Sequence, residues 1–202
     1  MEKAIHTINE FGRNVAKRIG KEEIYSQYDL EWRHDVAGKA VYEGDRIDLG
    51  GLEVSIFETP GHSSCSIAAY VKELKAFFPS DGGGIPFNEA IIVSANSNYT
   101  KYQENLERLK TLDIGTFCAD HYGYVTGEEA RDFIPKTIEV AREQRAKIEE
   151  IYRRDQDIDA VAKELTSAVL DEYPDYFLPP EILLDVSRQM IRHIASVMER
   201  RA

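Results

Sequence analysis

The sequence contains few cysteines and no long apolar run. Only Cys65 and Cys118 occur among its 202 residues, too few for a disulfide scaffold. We interpret both as small buried residues of a reducing compartment and favour this over a Cys65–Cys118 pairing. No stretch approaches the roughly 20 apolar residues that span a bilayer, and the N-terminal MEKAIHTINEFGRN lacks the continuous apolar segment of a signal peptide. The sequence therefore predicts a cytoplasmic protein without a membrane partner.

Basic residues are also in the minority. The chain has 36 acidic and 25 basic residues, which give a formal net charge of -11. A field of this sign repels phosphate backbones, so nucleic acid is not an expected partner. Apolar residues make up 43% and charged residues 30% of the chain, as in ordinary globular domains.

The first 130 residues alternate between helix and strand patterns. Apolar residues at three- and four-residue steps predict an amphipathic helix over 2–19. A second helix is predicted over 98–112 with Asn98 as its N-cap. Gly50-Gly51 predicts a tight hairpin turn. Short extended apolar runs predict strands at residues 47–49, 52–57, 66–71, 76–78 and 114–119. We therefore predict an α/β domain over residues 1–130.

Residues 131–202 have the pattern of a helical extension. Thr126-Gly-Glu-Glu129 has the spacing of a capping box. Pro135 is predicted to start or kink a helix that runs to about Arg154. Further helices are predicted over 157–170 and 181–200, separated by the break YPDYFLPP.

Three residues with metal-binding side chains each lie immediately after a predicted strand. They are His62, Asp81 and His121. In an α/β sheet the strand ends gather at one edge, where sites are usually built. Two imidazoles and a carboxylate suit zinc or iron. A histidine in a turn is more often an ordinary surface or core residue, so the spacing alone leaves both interpretations open.

Three short motifs resemble the second half of the metallo-β-lactamase superfamily. They are TPGHS at 59–63, PSD at 79–81 and ADHYGYVTG at 119–127. The resemblance runs from about residue 40 to residue 130. It implies an α/β (α+β) fold, namely the C-terminal half of an αββα sandwich followed by a helical extension.

The resemblance also implies a site and a reaction. His62 would bind a first metal, Asp81 would bridge both metals and take part in catalysis, and His121 would bind the second. The implied cofactor is a pair of zinc ions, with iron or manganese as alternatives. Tyr122 and Tyr124 either line this pocket or pack at the sheet edge.

The implied activity is that of a metal-dependent hydrolase. A metal-bound hydroxide would attack the carbonyl of a small-molecule ester or thioester. The helical extension favours such substrates over β-lactams. The alternative is a non-catalytic half-domain that acts as a binding or assembly module.

The family signature H-x-H-x-D-H is absent from this sequence. His6 stands alone, and Arg33-His34-Asp35, interpreted as a charged loop, lacks the paired histidines. Each ion would keep two protein ligands, whereas catalytic zinc sites usually have three plus water. Three explanations stay open: a truncated hydrolase that lacks its N-terminal half, a separate chain that supplies this half, or a homo-oligomer that covers the exposed sheet face and has lost the chemistry.

Overall fold

The computed structural model describes residues 2–18, 20–27, 38–176 and 178–200. The chain forms two compact units, Met1–Ala40 and Val41–Ala202. The domain boundary predicted near residue 130 stays a prediction. The Arg33-His34-Asp35 segment lies outside the described residues.

The first unit contains two helices. Helix α1 spans Glu2–Arg18 and α2 spans Glu22–Gln27, so the amphipathic helix predicted over 2–19 is confirmed as far as Arg18. His6 lies on α1, where its Nε2 atom is 3.5 Å from Oε2 of Glu10. This exposed contact between neighbouring turns accounts for His6 without a metal.

The second unit is built on a six-stranded sheet with the order β1-β2-β3-β4-β7-β8. Its strands are β1 Arg46–Asp48, β2 Glu53–Glu58, β3 Ile67–Val71, β4 Ala76–Phe78, β7 Thr116–Cys118 and β8 Tyr124–Thr126. A separate antiparallel hairpin consists of β5 Ile85–Phe87 and β6 Ala90–Ile92. The helices are α3 Tyr99–Leu109, α4 Gly127–Asp155, α5 Ile158–Glu172 and α6 Pro180–Glu199. The mixed α/β class is confirmed, and so is a helical C-terminal extension.

Strand directions bring three strand ends to one edge of this sheet. Strand β3 runs antiparallel to both β2 and β4, while β7 runs parallel to β4. Strands β2, β4 and β7 therefore run in the same direction, and their carboxyl ends lie together. A parallel pair needs a crossover connection, which the β5–β6 hairpin and α3 supply between β4 and β7.

One face of the sheet packs against helices α3 and α4. Phe117 of β7 is 0% exposed, and its ring centroid lies 4.1 Å from that of Phe133 in α4. Burying a side chain of this size stabilises the fold by roughly 1.5–3 kcal/mol. The buried stripe of α3 follows the three- and four-residue spacing of its apolar residues, Tyr99, Tyr102, Leu106 and Leu109.

The opposite face of the sheet leaves large apolar side chains partly exposed. The strand register puts Ile47, Ile67 and Phe78 on this face. Their exposed fractions are 41%, 38% and 44%. On the same face Ile56, Val71 and Ala76 are 5%, 7% and 8% exposed, so the three exposed side chains are separate positions around a buried centre.

The start of α4 differs from the prediction. The helix runs without interruption from Gly127 through Pro135 to Asp155, so no new helix starts at the proline. Thr126 is the N-cap, but its side chain makes no capping hydrogen bond, and the predicted capping box is wrong. Thr126 is also the last residue of β8 and pairs with Thr116, so its backbone conformation is set by the sheet. No helix among the described residues is long and apolar enough to cross a membrane.

Cysteine placement also differs from the prediction. Both thiols are free, so the alternative pairing does not occur. Cys65 is exposed and Cys118 is half-buried, so the expectation that both are buried is wrong. Cys65 lies in the loop after His62 rather than in a strand, which explains its exposure.

Candidate functional site

The three candidate ligands lie at the edge where β2, β4 and β7 end. His62 Nε2 is 3.3 Å from Oδ2 of Asp81, and His121 Nε2 is 3.4 Å from Oδ1 of the same carboxylate. The Asp81 side chain is 17% exposed, against 28% for His62 and 45% for His121. The structure thus brings all three residues together, with the carboxylate between two imidazoles and one side open to solvent.

A tight turn fixes the position of His62. Gly61, just before it, has φ +155°, and a Cβ atom there would lie 2.7 Å from Cα of Tyr102. The Gly61 carbonyl accepts hydrogen bonds from the backbone N–H groups of Ser97 and Asn98, both at 2.9 Å. The glycine therefore lets the loop lie directly against the start of α3, which Asn98 caps through its side chain as predicted.

A backbone contact sets the orientation of the His62 ring. Its Nδ1 atom lies 2.8 Å from the carbonyl oxygen of Ser94. A carbonyl only accepts, so Nδ1 carries the hydrogen and donates. In the neutral imidazole the Nε2 lone pair then faces Asp81, as in metal sites where a second hydrogen bond fixes the tautomer of a ligating histidine.

The Asp81 carboxylate lies in a short turn over Ser80–Gly83. A Cβ atom at Gly83 would lie 2.4 Å from Cβ of Pro79, so this turn depends on glycine. Oδ1 of Asp81 is buried and makes no hydrogen bond. Buried polar atoms are rarely left without a partner. A buried carboxylate oxygen that makes no hydrogen bond is a position where a cation would be stabilised.

The spacing between these atoms suits a tetrahedral metal. Ligand atoms held tetrahedrally at about 2.0–2.1 Å from zinc lie about 3.3–3.4 Å apart. Both histidine–carboxylate distances, 3.3 and 3.4 Å, match this value. Each imidazole approaches a different oxygen, which gives two half-sites joined by Asp81 rather than one centre.

The number of ligands falls short of a complete site. Among the described residues, no group of three or more His, Cys, Asp or Glu side chains is arranged to hold a metal ion. The two short contacts are pairwise, one imidazole to each oxygen of the Asp81 carboxylate. The residues present fit part of a metal centre by chemistry and spacing.

Tyr102 lies beneath the carboxylate. Burial and the nearby Asp81 charge raise the pKa of its hydroxyl above the usual tyrosine range. The hydroxyl therefore stays protonated, and this side of the site carries no second negative charge.

Aromatic residues border His121. The ring of Tyr122 lies 6.4 Å from that of His121 and 5.3 Å from that of Phe87. Tyr173 and Tyr176 also contact Phe87, at 5.8 and 5.6 Å between ring centroids. Tyr122 thus lies beside the site. Tyr124 is in β8 and 69% exposed.

Sequence reasoning missed Ser94 and Phe87. Ser94 acts through its backbone carbonyl, which every residue type has, so the sequence cannot reveal this role. Phe87 lies in a hairpin of three-residue strands, and strands that short show no measurable alternation. The break between α5 and α6 was visible, but not the contact that Tyr173 and Tyr176 make with Phe87.

Comparison with known protein families assigns the chain to one family. A family profile described as the metallo-beta-lactamase superfamily matches residues 4–121, more than half of the 202 residues. The chain belongs to the metallo-β-lactamase superfamily. The match begins within α1 and ends at His121, so it includes all three candidate ligands. A search of curated proteins found no match.

Solved structures show the same superfamily fold. A beta-lactamase domain protein from Burkholderia ambifaria has a TM-score of 0.61 at 14% identity, over 96% of this chain and 57% of its own. An archaeal superfamily protein from Sulfolobus tokodaii has a TM-score of 0.54 at 20% identity, over 97% and 65%. A family protein from Thermus thermophilus has a TM-score of 0.52 at 17% identity, over 79% and 48%. The chain thus spans 48% to 65% of the length of these structures, and identities this low show the fold alone.

Proposed function

We propose that this chain carries half of the metal centre of a hydrolase that cleaves an ester or thioester. The observation that supports the proposal most strongly is the carboxylate of Asp81 held between two imidazoles at 3.3 and 3.4 Å. Superfamily members are generally metal-dependent hydrolases, and this chain belongs to the superfamily.

Each residue has a defined part in this proposal. His62, oriented by the Ser94 carbonyl, would hold one ion, and His121 would hold the other. Asp81 would contribute one oxygen to each, which satisfies the buried Oδ1 atom that makes no hydrogen bond. Zinc or a comparable divalent ion, when bound, polarises a carbonyl oxygen and lowers the pKa of water. The Asp81 carboxylate would also orient the attacking group and accept a proton during turnover.

Each ion would need further ligands. Two protein ligands for each ion are fewer than the three that catalytic zinc usually has. We propose that a separate chain bearing an H-x-H-x-D-H segment packs on the sheet face where Ile47, Ile67 and Phe78 are partly exposed. Such a chain would cover 38–44% exposed apolar side chains and complete both half-sites.

Metal content tests the centre directly. The full chain would be loaded with zinc, alone and with any co-purifying protein, then dialysed and assayed by mass spectrometry. We expect His62→Ala and His121→Ala each to lower zinc affinity at least tenfold, because even the loss of a partner that only orients a ligand costs about 10–100-fold. His6→Ala is the matched control, since His6 contacts only one exposed glutamate on α1.

The result that would refute the metal centre is equal zinc retention in all three variants. Hydrolysis would be followed with p-nitrophenyl esters and with acyl thioesters that release a detectable thiol. Turnover that disappears in His62→Ala and is unchanged in His6→Ala supports the hydrolase.

A binding or assembly module is the second candidate function. The exposed apolar face at Ile47, Ile67 and Phe78 favours it. A complex that forms through this face but retains no zinc under any condition would support the module and exclude the hydrolase.

A further inference from the structure

A cavity of about 570 Å³ lies between the β5–β6 hairpin and helices α4, α5 and α6. Its size falls within the range of roughly 300–1,000 Å³ that is typical of small-molecule sites. It is distinct from the His62–Asp81–His121 cluster, and the proposed metal chemistry does not use it.

The interior of the cavity is apolar. Leu165, Leu183 and Met190 line it and are 4%, 4% and 3% exposed. Ile91 and Val169 add branched aliphatic surface from the hairpin and from α5. A wall of aliphatic side chains binds hydrocarbon rather than polar groups, because the apolar surface of the ligand leaves water.

Charged residues surround this interior, and acidic ones predominate. Exposed lining residues comprise four carboxylates and two ammonium groups, Glu89, Glu139, Glu143, Glu172, Lys136 and Lys147. Acid therefore exceeds base by two charges. The rim repels an anionic head group and accepts a neutral or cationic one.

Two connections lead from the cavity to the candidate metal site. Ser94 lines the cavity and accepts the hydrogen bond from His62 Nδ1 at 2.8 Å. Tyr173 and Tyr176 line it as well, and both rings contact Phe87, which contacts Tyr122 beside His121. The cavity is thus joined to the site directly at Ser94 and more remotely through the rings of Phe87 and Tyr122.

We propose that this cavity binds an aliphatic chain whose attached group is uncharged or cationic. Under the proposed function, on which this identification of the substrate rests, the chain is the acyl tail of the ester or thioester. Polyanionic leaving groups would not pass the acidic rim.

Direct binding to the metal-free chain tests the cavity apart from hydrolysis. The probes are decyltrimethylammonium and decyl sulfate, each below its micelle concentration, and 1-decanol below its solubility limit, titrated by calorimetry at low salt. We expect one saturable site for the first two and affinity weaker by about tenfold or more for decyl sulfate, with the difference shrinking as salt screens the rim. Equal affinity for all three, or only non-saturable binding, would overturn the proposal.

Two sets of variants locate the site. Val169→Trp fills the cavity from half-buried Val169 and should abolish decanol binding. Val197→Trp, at a half-buried position outside the cavity, should leave it unchanged. If Val169→Trp does not fold, the double variant Glu139→Gln/Glu143→Gln should reduce the preference for the cation, with Glu150→Gln on the same helix as control. Unchanged selectivity in the double variant would count against the cavity.

Failure of the cavity and failure of the hydrolase can be told apart. Saturable decanol binding without ester turnover by the zinc-loaded chain and its co-purifying protein would leave the cavity intact and refute the proposed reaction. Turnover that is independent of acyl chain length, with no probe binding, would refute the cavity alone.

Discussion

Replacing Gly61 by alanine should destabilise the protein and disorder its proposed metal site. The added Cβ atom would lie 2.7 Å from both Cα and Cβ of Tyr102 and 2.8 Å from its backbone N. These atoms belong to the first turns of α3 and cannot move independently. The φ of +155° adds backbone strain, worth about 1–3 kcal/mol, and forced overpacking costs a further 1–3 kcal/mol or so.

The expected loss is therefore about 2–6 kcal/mol in the free energy of unfolding. Urea denaturation followed by circular dichroism measures it, and zinc affinity should fall as well, because His62 is the next residue. Gly51→Ala is the matched control, since Gly51 has φ +112° but no atom within 4 Å of an added Cβ. This control isolates backbone strain, so a Gly61→Ala cost no larger than that of Gly51→Ala would refute the steric argument.

Three further predictions concern two helix N-caps, the two cysteine thiols and one core phenylalanine. Asn98→Ala should cost about 1 kcal/mol of stability, because the Asn98 side chain accepts from Lys101 N at 2.9 Å; Thr126→Ala should cost clearly less, because Thr126 makes no capping bond, and equal losses in thermal melts would contradict this. Cys65 should react with a thiol reagent faster than Cys118 at about pH 8, because burial raises the pKa of the Cys118 thiol and lowers its thiolate fraction. Mass mapping of partly modified protein measures the order of labelling, and preferential labelling of Cys118 would contradict the prediction. Phe117→Ala should cost about 3–5 kcal/mol, since Phe117 is 0% exposed, and a loss under about 1 kcal/mol would show that the ring is not part of the core.

Much of the fold could be predicted from periodicity and turn chemistry. Helix α3 was visible because its apolar residues recur at helical spacing and Asn98 is a strong N-cap. The strands that carry His62 and Asp81 were visible because branched and aromatic residues end at glycine-rich turns. Strands β5, β6 and β8 were not predicted, although the equally short β1, β4 and β7 were. The predicted capping box at Thr126 is not formed; the next residue, Gly127, has φ +65° instead of a helical value.

The sequence predicted the residues of the candidate site but not the neighbouring groups that orient and surround them. Strand-end positions and the family motifs together identified His62, Asp81 and His121. The Ser94 carbonyl that orients His62, and the tyrosines that connect His121 to the cavity, depend on tertiary packing between segments far apart in sequence. No local pattern encodes such contacts.

Sheet topology explains why the three candidate ligands converge. Strand β3 is antiparallel to both β2 and β4, so β2 and β4 run in the same direction. The crossover through α3 makes β7 parallel to β4. Any chain that keeps this order delivers the residues after the three strands to the same edge, whatever covers the other sheet face. The half-site is therefore set by this chain's own backbone. In the proposed complex a second chain would add ligands to a preformed edge rather than create it, so zinc should bind weakly to this chain alone and more tightly when the exposed face is covered.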